Sequence, residues 1–288
     1  MSKMYGAFQS QDKLYFVLEY CAGGELFFHL QRQRGFTQEQ AVHWTAEIML
    51  ALEHLHKQGI AYRDLKPENL LLDFEGHIRL CDFGLAKSGL RAPDEGTFSM
   101  CGTPEYLAPE MLKRDGHGTA VDWWCLGMVL FEMLTGLPPW YTTDTAKMFQ
   151  RVKYAPLMFP RSVSPEAKEI ITGLLNKDPS ERFGSTPESI DFMKKHKLFE
   201  HIDWDALACK KVPSPYVPHC SDDDVAVGNN FEAQFTKMPI SSVCSDSELT
   251  HSFCAARDAA ENMFTGFTYE NESIFKSGSP VFQTCRAA

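Results

Sequence analysis

The chain has 288 residues, 44% of them hydrophobic and 23% charged, and a formal net charge of −10. This is ordinary globular material for one large domain or two modest ones, and the acidic balance argues against nucleic acid as a partner while suiting a basic peptide or a metal-bound ligand. Nine cysteines form no CxxC pair and no Cys/His metal spacing, so they read as reduced thiols of a cytosolic or nuclear protein. No signal peptide is visible, and the longest apolar stretch, "WWCLGMVLFEML", is too short to span a bilayer.

In chain order, "MYGAF" and "KLYFVLEY" are two β-like runs around "QSQD", a hairpin pattern. "CAGGEL" breaks the strand pattern at Gly23 and Gly24. Thr37 and Gln40 fit a capping box, and Ala41, Trp44, Ile48, Leu52 and Leu55 follow at spacings of three and four until Gly59, which predicts a long amphipathic helix. "NLLL" and "HIRLCDF" are short strands around the turn "DFEG". A loop stretch runs to about Gly118. "AVDWWCLGMVLFEMLTG" is apolar on nearly every face and predicts a helix buried all round. "SPEAKEIITGLLNK" is a helix with Ser164 as cap and Pro165 in its first turn, and a last helical piece lies near Ser189 to Phe199. Beyond Trp204 the composition turns to Ser, Pro, Asn and Asp, the pattern of a tail that wraps another surface or stays loose.

Chemistry concentrates in "YRDLKPENLLL", Tyr62 to Leu72. Asp64 and Asn69 stand in a loop entering a buried strand, and Asp82 follows that strand's partner. Folding the hairpin brings two acids and an amide to one end of the strand pair. Such oxygen ligands suit Mg²⁺, which needs one or two carboxylates plus phosphate oxygens. An unliganded Asp64 can accept a proton from a hydroxyl nucleophile, and Lys66 can neutralise charge on a transferred phosphoryl group.

"YRDLKPENLLL", "CDFG", "CGTPEYLAPE" and "DWWCLG" together resemble the catalytic core of eukaryotic protein kinases. Tyr62, where most kinases have His, and "GTPEYLAPE" resemble the AGC group, near the protein kinase B and serum- and glucocorticoid-regulated kinase branches. "FTGFTY" resembles that group's hydrophobic motif, and "NNFEAQF" its Phe-containing adenine-site segment. The implied fold is α+β and kinase-like: residues 1–20 a remnant of the small lobe, 21–204 the helical large lobe, 205–288 the tail.

The resemblance implies ATP and Mg²⁺ as cofactors, with Asp64 as base, Lys66 as its phosphate-side partner, Asn69 and Asp82 as metal ligands, and Thr103 in contact with Asp64 and Lys66. Leu18, Glu19, Cys21, Glu25 and Phe231 fall at the nucleotide site, Leu18 behind the adenine and Glu25 on the ribose. Arg63, Phe83, Gly84, Glu110, Asp122 and Arg182 take structural roles, Phe83 in a hydrophobic spine and Glu110 paired with Arg182. "DLKPEN" favours serine/threonine substrates. Glu25, Glu68, Glu105 and Glu132 match acids lining the peptide cleft of basophilic members, answered by substrate arginines, while Leu107 and Pro104 make an apolar pocket after the target residue. Ser99, with Thr97 as competitor, matches the activation-loop phosphosite, where Arg63 can bind the phosphate. Thr268 matches the hydrophobic-motif site, and Ser245 or Ser247 the turn-motif site. Cys81 and Cys101 are candidates for redox sensitivity, against the default of inert buried thiols. A monomer acting on basic proteins is implied, with an upstream phosphoinositide-dependent kinase as partner.

The Gly-rich loop, the strand lysine and its helix glutamate, which the family places ahead of "KLYFVLEY", are not found. Two expectations follow. The chain is a truncated form of an active kinase, or a short form that binds other kinases through Phe264, Phe267 and Thr268. Either way the hairpin's apolar face and free edge are expected to be bare.

Overall fold

The computed structural model describes residues 1–9, 14–90, 96–220, 230–231, 236 and 268–270. In chain order its elements are β1 (Met4–Gln9), β2 (Leu14–Leu18), β3 (Gly24–Glu25), α1 (Leu26–Gln33), α2 (Gln38–Lys57), β4 (Leu70–Leu72), β5 (Ile78–Leu80), α3 (Pro109–Lys113), α4 (Ala120–Thr135), α5 (Thr145–Tyr154), α6 (Pro165–Leu174), α7 (Pro187–Lys195), α8 (Trp204–Ala208) and β6 (Tyr269–Glu270). Two compact units result, one holding Cys21 to Thr236 and the other holding β1, β2 and β6.

The smaller unit is an antiparallel sheet in the order β2-β1-β6. Phe8 faces Tyr15 across the hairpin and the two rings stack at 4.8 Å, a cross-strand pair of the kind that fixes register. β6 covers one edge of the hairpin by pairing with β1, Gly6 opposite Glu270 and Ala7 opposite Tyr269, which satisfies backbone groups that an edge strand leaves open; among the described strands β2 remains at the outer edge of the sheet. On β2, Phe16, Val17 and Leu18 are exposed.

The larger unit is built around α4, buried on every side from Ala120 to Met133 and closed by Gly136 in the left-handed conformation. α2 crosses it. Its first turn is the capping box expected from Thr37 and Gln40, and Ala41, Trp44, Ile48, Leu52 and Leu55 are all buried. α6 starts with Ser164 accepting from the Ala167 N–H at 3.1 Å. α7 is followed by a 3-10 turn, Lys197–Phe199. The loop stretch before α4 holds a further 3-10 turn, Pro104–Tyr106, and α3.

The second sheet runs β3-β4-β5, antiparallel throughout. Gly24 therefore lies in a strand, opposite Leu72, where a break was expected. Its φ is 73° and a Cβ there would sit 1.9 Å from the Asn230 carbonyl oxygen, so only glycine fits. Residues past Trp204 also pack on this unit: Lys210 pairs with Asp73, and the Tyr216 hydroxyl meets His29 Nδ1 at 2.8 Å. Among the described residues no helix is long and apolar enough to cross a membrane.

Candidate active site

The site starts from the β4–β5 pairing. Leu70 lies opposite Leu80, so the residues before β4 and after β5 emerge at the same end. The Cys81 N–H donates to the Asn69 carbonyl at 3.1 Å and extends that register by one step. Buried Leu65, Leu70 and Leu80 anchor the loop between Tyr62 and Asn69 to the core. Its entry is pinned by Asp122 in the first turn of α4, which is fully buried. Asp122 accepts the Tyr62 N–H at 2.8 Å through Oδ2 and the Arg63 N–H at 2.7 Å through Oδ1. His56 Nε2 meets the same Oδ2 at 2.7 Å. Arg63 itself is left-handed, φ 68°, a conformation that persists in a non-glycine residue only when the surroundings impose it.

Four side chains then converge. Asn69 Nδ2 donates to both the carbonyl and Oδ2 of Asp64, each at 2.8 Å. Lys66 Nζ lies 3.2 Å from the same Oδ2 and donates to Thr103 Oγ1 at 2.8 Å. The Thr103 hydroxyl in turn donates to Asp64 Oδ1 at 3.2 Å. Gly102, φ 108°, lets that segment approach: a Cβ there would lie 3.0 Å from the Arg63 carbonyl oxygen. The result is a carboxylate held at both oxygens beside a cation, the arrangement needed to accept a hydroxyl proton next to developing negative charge.

Asp82 begins the turn after β5, left-handed at φ 51° and exposed. Its Oδ1 accepts the Gly84 N–H at 3.0 Å, which fixes the carboxylate. With the Asn69 nitrogen spent on Asp64, the amide oxygen of Asn69 and the carboxylate of Asp82 are hard oxygen donors of the type Mg²⁺ takes, so the residues present fit that ion. Phe83 meets the Tyr62 ring edge-on at 5.2 Å and is 38% exposed. The Tyr62 hydroxyl donates to the Cys81 carbonyl, and burial pushes its pKa up.

The four acids expected on a peptide cleft separate. Glu68 has an oxygen that is buried and without a hydrogen-bond partner, and its pKa is raised first by burial and further by Asp64 and Glu105. Glu132 is buried in α4, 5% exposed, accepting from the Tyr106 hydroxyl. Burial, with Glu68 and Glu105 adding repulsion, raises its pKa to about 7. These three acids thus share one electrostatic neighbourhood. Glu25 stands apart at the head of α1. Leu107 is buried and Pro104 exposed, so Leu107 can floor an apolar pocket and Pro104 can only rim it.

Arg63 Nη1 donates to Ser99 Oγ at 2.9 Å and approaches Thr97 Oγ1 at 3.4 Å. The segment is held by reciprocal backbone bonds between Thr97 and His117. Glu110 and Arg182 form a buried bidentate pair at 2.7 and 2.9 Å. Burial pushes the Cys81 thiol up to about 12, which keeps it protonated and unreactive; Cys101 is partly buried against the core. Of the nucleotide-site residues, Cys21 is buried and its carbonyl caps the turn to Gly24 at 3.0 Å. Phe231 follows Asn230, whose side chain donates to the Ala22 carbonyl at 3.0 Å. In the smaller unit Glu19 donates its N–H to the Lys3 carbonyl at 2.8 Å, and Leu18 is 51% exposed on β2. Thr268 is exposed next to β6. Ser245, Ser247, Phe264 and Phe267 lie outside the described residues.

Tyr106 and His56 carry contacts that the sequence did not single out. A signal existed for Tyr106: a helix apolar on every face that contains Glu132 must supply that carboxyl with a buried donor. His56 offers no such signal, because its partner lies 66 residues away.

The protein kinase domain family matches residues 1–199. The chain is 45% identical over 267 residues to a RAC family serine/threonine-protein kinase homolog of Dictyostelium discoideum, covering 93% of this chain and 57% of that protein. It is 44% identical over 266 residues to the serine/threonine-protein kinase Sgk2 of Mus musculus, covering 92% and 71%. It is 46% identical over 273 residues to the serine/threonine-protein kinase YPK1 of Saccharomyces cerevisiae, covering 94% and 38%. The chain therefore spans between about two fifths and seven tenths of the length of these relatives.

Proposed function

The chain belongs to the protein kinase family, in its AGC serine/threonine group, and from that premise we propose that it transfers the γ-phosphoryl group of ATP to serine or threonine hydroxyls in arginine-rich protein segments. The observation that carries this reading is the triangle of Asp64, Lys66 and Thr103, held at 2.8 to 3.2 Å. Asp64 takes the proton of the attacking hydroxyl. Lys66 stabilises negative charge on the transferred group. Thr103 holds both side chains in register, so little reorganisation is needed as the reaction proceeds. Asn69 and Asp82 are the residues that would hold Mg²⁺, which supplies charge neutralisation for the phosphates.

Substrate choice rests on Glu68 and Glu105, with Glu132 beneath them. A buried carboxylate oxygen without a partner on Glu68 is matched by a guanidinium, whose planar fork donates two hydrogen bonds at once. Leu107 floors the pocket after the target residue. Phosphorylation of Ser99, Thr268 and Ser245, with an upstream phosphoinositide-dependent kinase as partner, regulates a monomer of the cytosol or nucleus.

The test of substrate class is phosphate transfer to two serine peptides differing only in whether arginines or alanines precede the serine. Labelling of the arginine peptide alone is expected. Equal labelling of both would overturn this reading of the acids.

A further inference from the structure

Away from the site described above, α2 and the start of β5 bring three ligating side chains together. His43 and Glu47 stand four apart on α2 and share one face of it. His77 arrives from the turn before β5, its backbone N–H donating to Asp73 Oδ1 at 3.0 Å. Glu47 Oε1 lies 2.6 Å from His77 Nδ1 and 3.6 Å from His43 Nε2. The other carboxylate oxygen, Oε2, accepts the Ile78 N–H at 2.8 Å. The carboxylate is thus fixed by backbone on one side and offered between two imidazoles on the other.

His43 supplies the second observation. It is 4% exposed, and its Nε2 is buried with no hydrogen bond, facing Glu47 Oε1 at 3.6 Å. A buried ring nitrogen without a hydrogen bond is uncommon in a folded protein and asks for a ligand. His77 is equally enclosed at 3%. One ligand atom from each of the three residues falls within 4.8 Å of the others.

We propose that His43, Glu47 and His77 form a binding site for a divalent transition-metal ion, zinc foremost, that ties α2 to the β4–β5 hairpin. Two imidazole nitrogens and one carboxylate oxygen are the ligand chemistry of zinc, with water as fourth ligand; Mg²⁺ and Ca²⁺ ask for oxygens throughout. Tetrahedral zinc with bonds of about 2.0–2.1 Å sets its ligand atoms about 3.4 Å apart. The observed spacings bracket that figure, so side-chain adjustments suffice. Asp73 is not available as a further ligand, since Oδ1 holds the backbone of His77 and Oδ2 holds Lys210 and Arg79. Ile78 N–H on Glu47 Oε2 supplies the outer hydrogen bond that orients a ligating carboxylate. The hairpin tied at this end carries Asn69 and Asp82 at the other, so the ion would brace the strand pair that positions the proposed phosphoryl-transfer site.

The test is calorimetric titration of the metal-stripped chain with Zn²⁺ in excess Mg²⁺, alongside H43F and E47Q. His43→Phe keeps a ring of similar bulk and gives up the 3.6 Å ion pair with Glu47. Glu47→Gln keeps an acceptor for Ile78. Thermal melting confirms that each variant folds. Wild type is expected to bind one equivalent at this site and to melt higher with zinc. Each variant is expected to bind at least about 100-fold more weakly, beyond the about 10–100-fold that loss of an outer-shell partner costs. Absence of stoichiometric binding in the wild type, or wild-type affinity in either variant, would overturn the proposal.

Discussion

Asp122 and Arg63 meet at 2.7 Å, the buried carboxylate of α4 accepting the backbone N–H of a loop residue in the left-handed conformation. The same carboxylate holds the Tyr62 N–H. One side chain in the most deeply buried helix therefore sets the path of the chain directly before Asp64.

Asp122→Asn keeps one acceptor and turns the other into a donor facing a donor. An unsatisfied buried group costs about 1–3 kcal/mol. Urea denaturation should show the variant less stable by about that much, and phosphate transfer should fall further than stability alone explains, because Asp64 loses its register. Unchanged stability and unchanged transfer would remove Asp122 from this role.

The Glu110–Arg182 pair is buried on both sides. Removing one partner of such a pair leaves a bare charge and costs about 3–5 kcal/mol. R182M should therefore be far less stable than wild type, and E110M/R182M less damaged than R182M. Chemical denaturation of the three proteins checks the order; a double variant worse than the single would contradict the pairing.

Glu132 gives a pH dependence with a definite sign. Its pKa is raised by burial to about 7 from the ordinary 4.5, so the folded state holds the proton that the unfolded state has lost over that window. Its favourable contribution is fully present below about 4.5 and is lost as pH rises through about 7. Relative to E132Q, wild type should lose up to about 3 kcal/mol between pH 4.5 and pH 8. Parallel stability curves for the two proteins would show that the carboxyl is not held neutral.

Arg63 already reaches Ser99. A phosphate there adds about −1.5 to −2 charges and new acceptors, so amide hydrogen exchange across residues 97–103 should slow on phosphorylation of Ser99, and R63A should erase the slowing. Equal exchange with and without the phosphate would sever this link.

Much of this architecture is legible from local patterns. Thr37 with Gln40 announces α2, and the all-round apolar run announces α4, because caps and periodicity are properties of neighbouring residues. α1 is hidden: it follows two glycines and its N-cap, Glu25, makes no side-chain capping bond. The pairing of β6 with β1 joins residues more than 260 apart, and no local pattern encodes it. The same holds for the junction of His77 with α2. For Glu132 the all-round apolar pattern of its helix already implied burial, and the acid is buried there against the Tyr106 hydroxyl. The loop chemistry of Asp64, Lys66, Asn69 and Thr103 was readable as a motif set; its distances, and the Asp122 pin beneath it, needed the fold.

The most direct measurement is transfer of radiolabelled phosphate from Mg·ATP to an arginine-rich serine peptide by the wild-type chain and by D64N. A positioned general base contributes about 10²–10⁴ in rate, so D64N should lose label incorporation by at least about 10². Equal incorporation by the two proteins would contradict the account of Asp64, and with it the phosphoryl-transfer site.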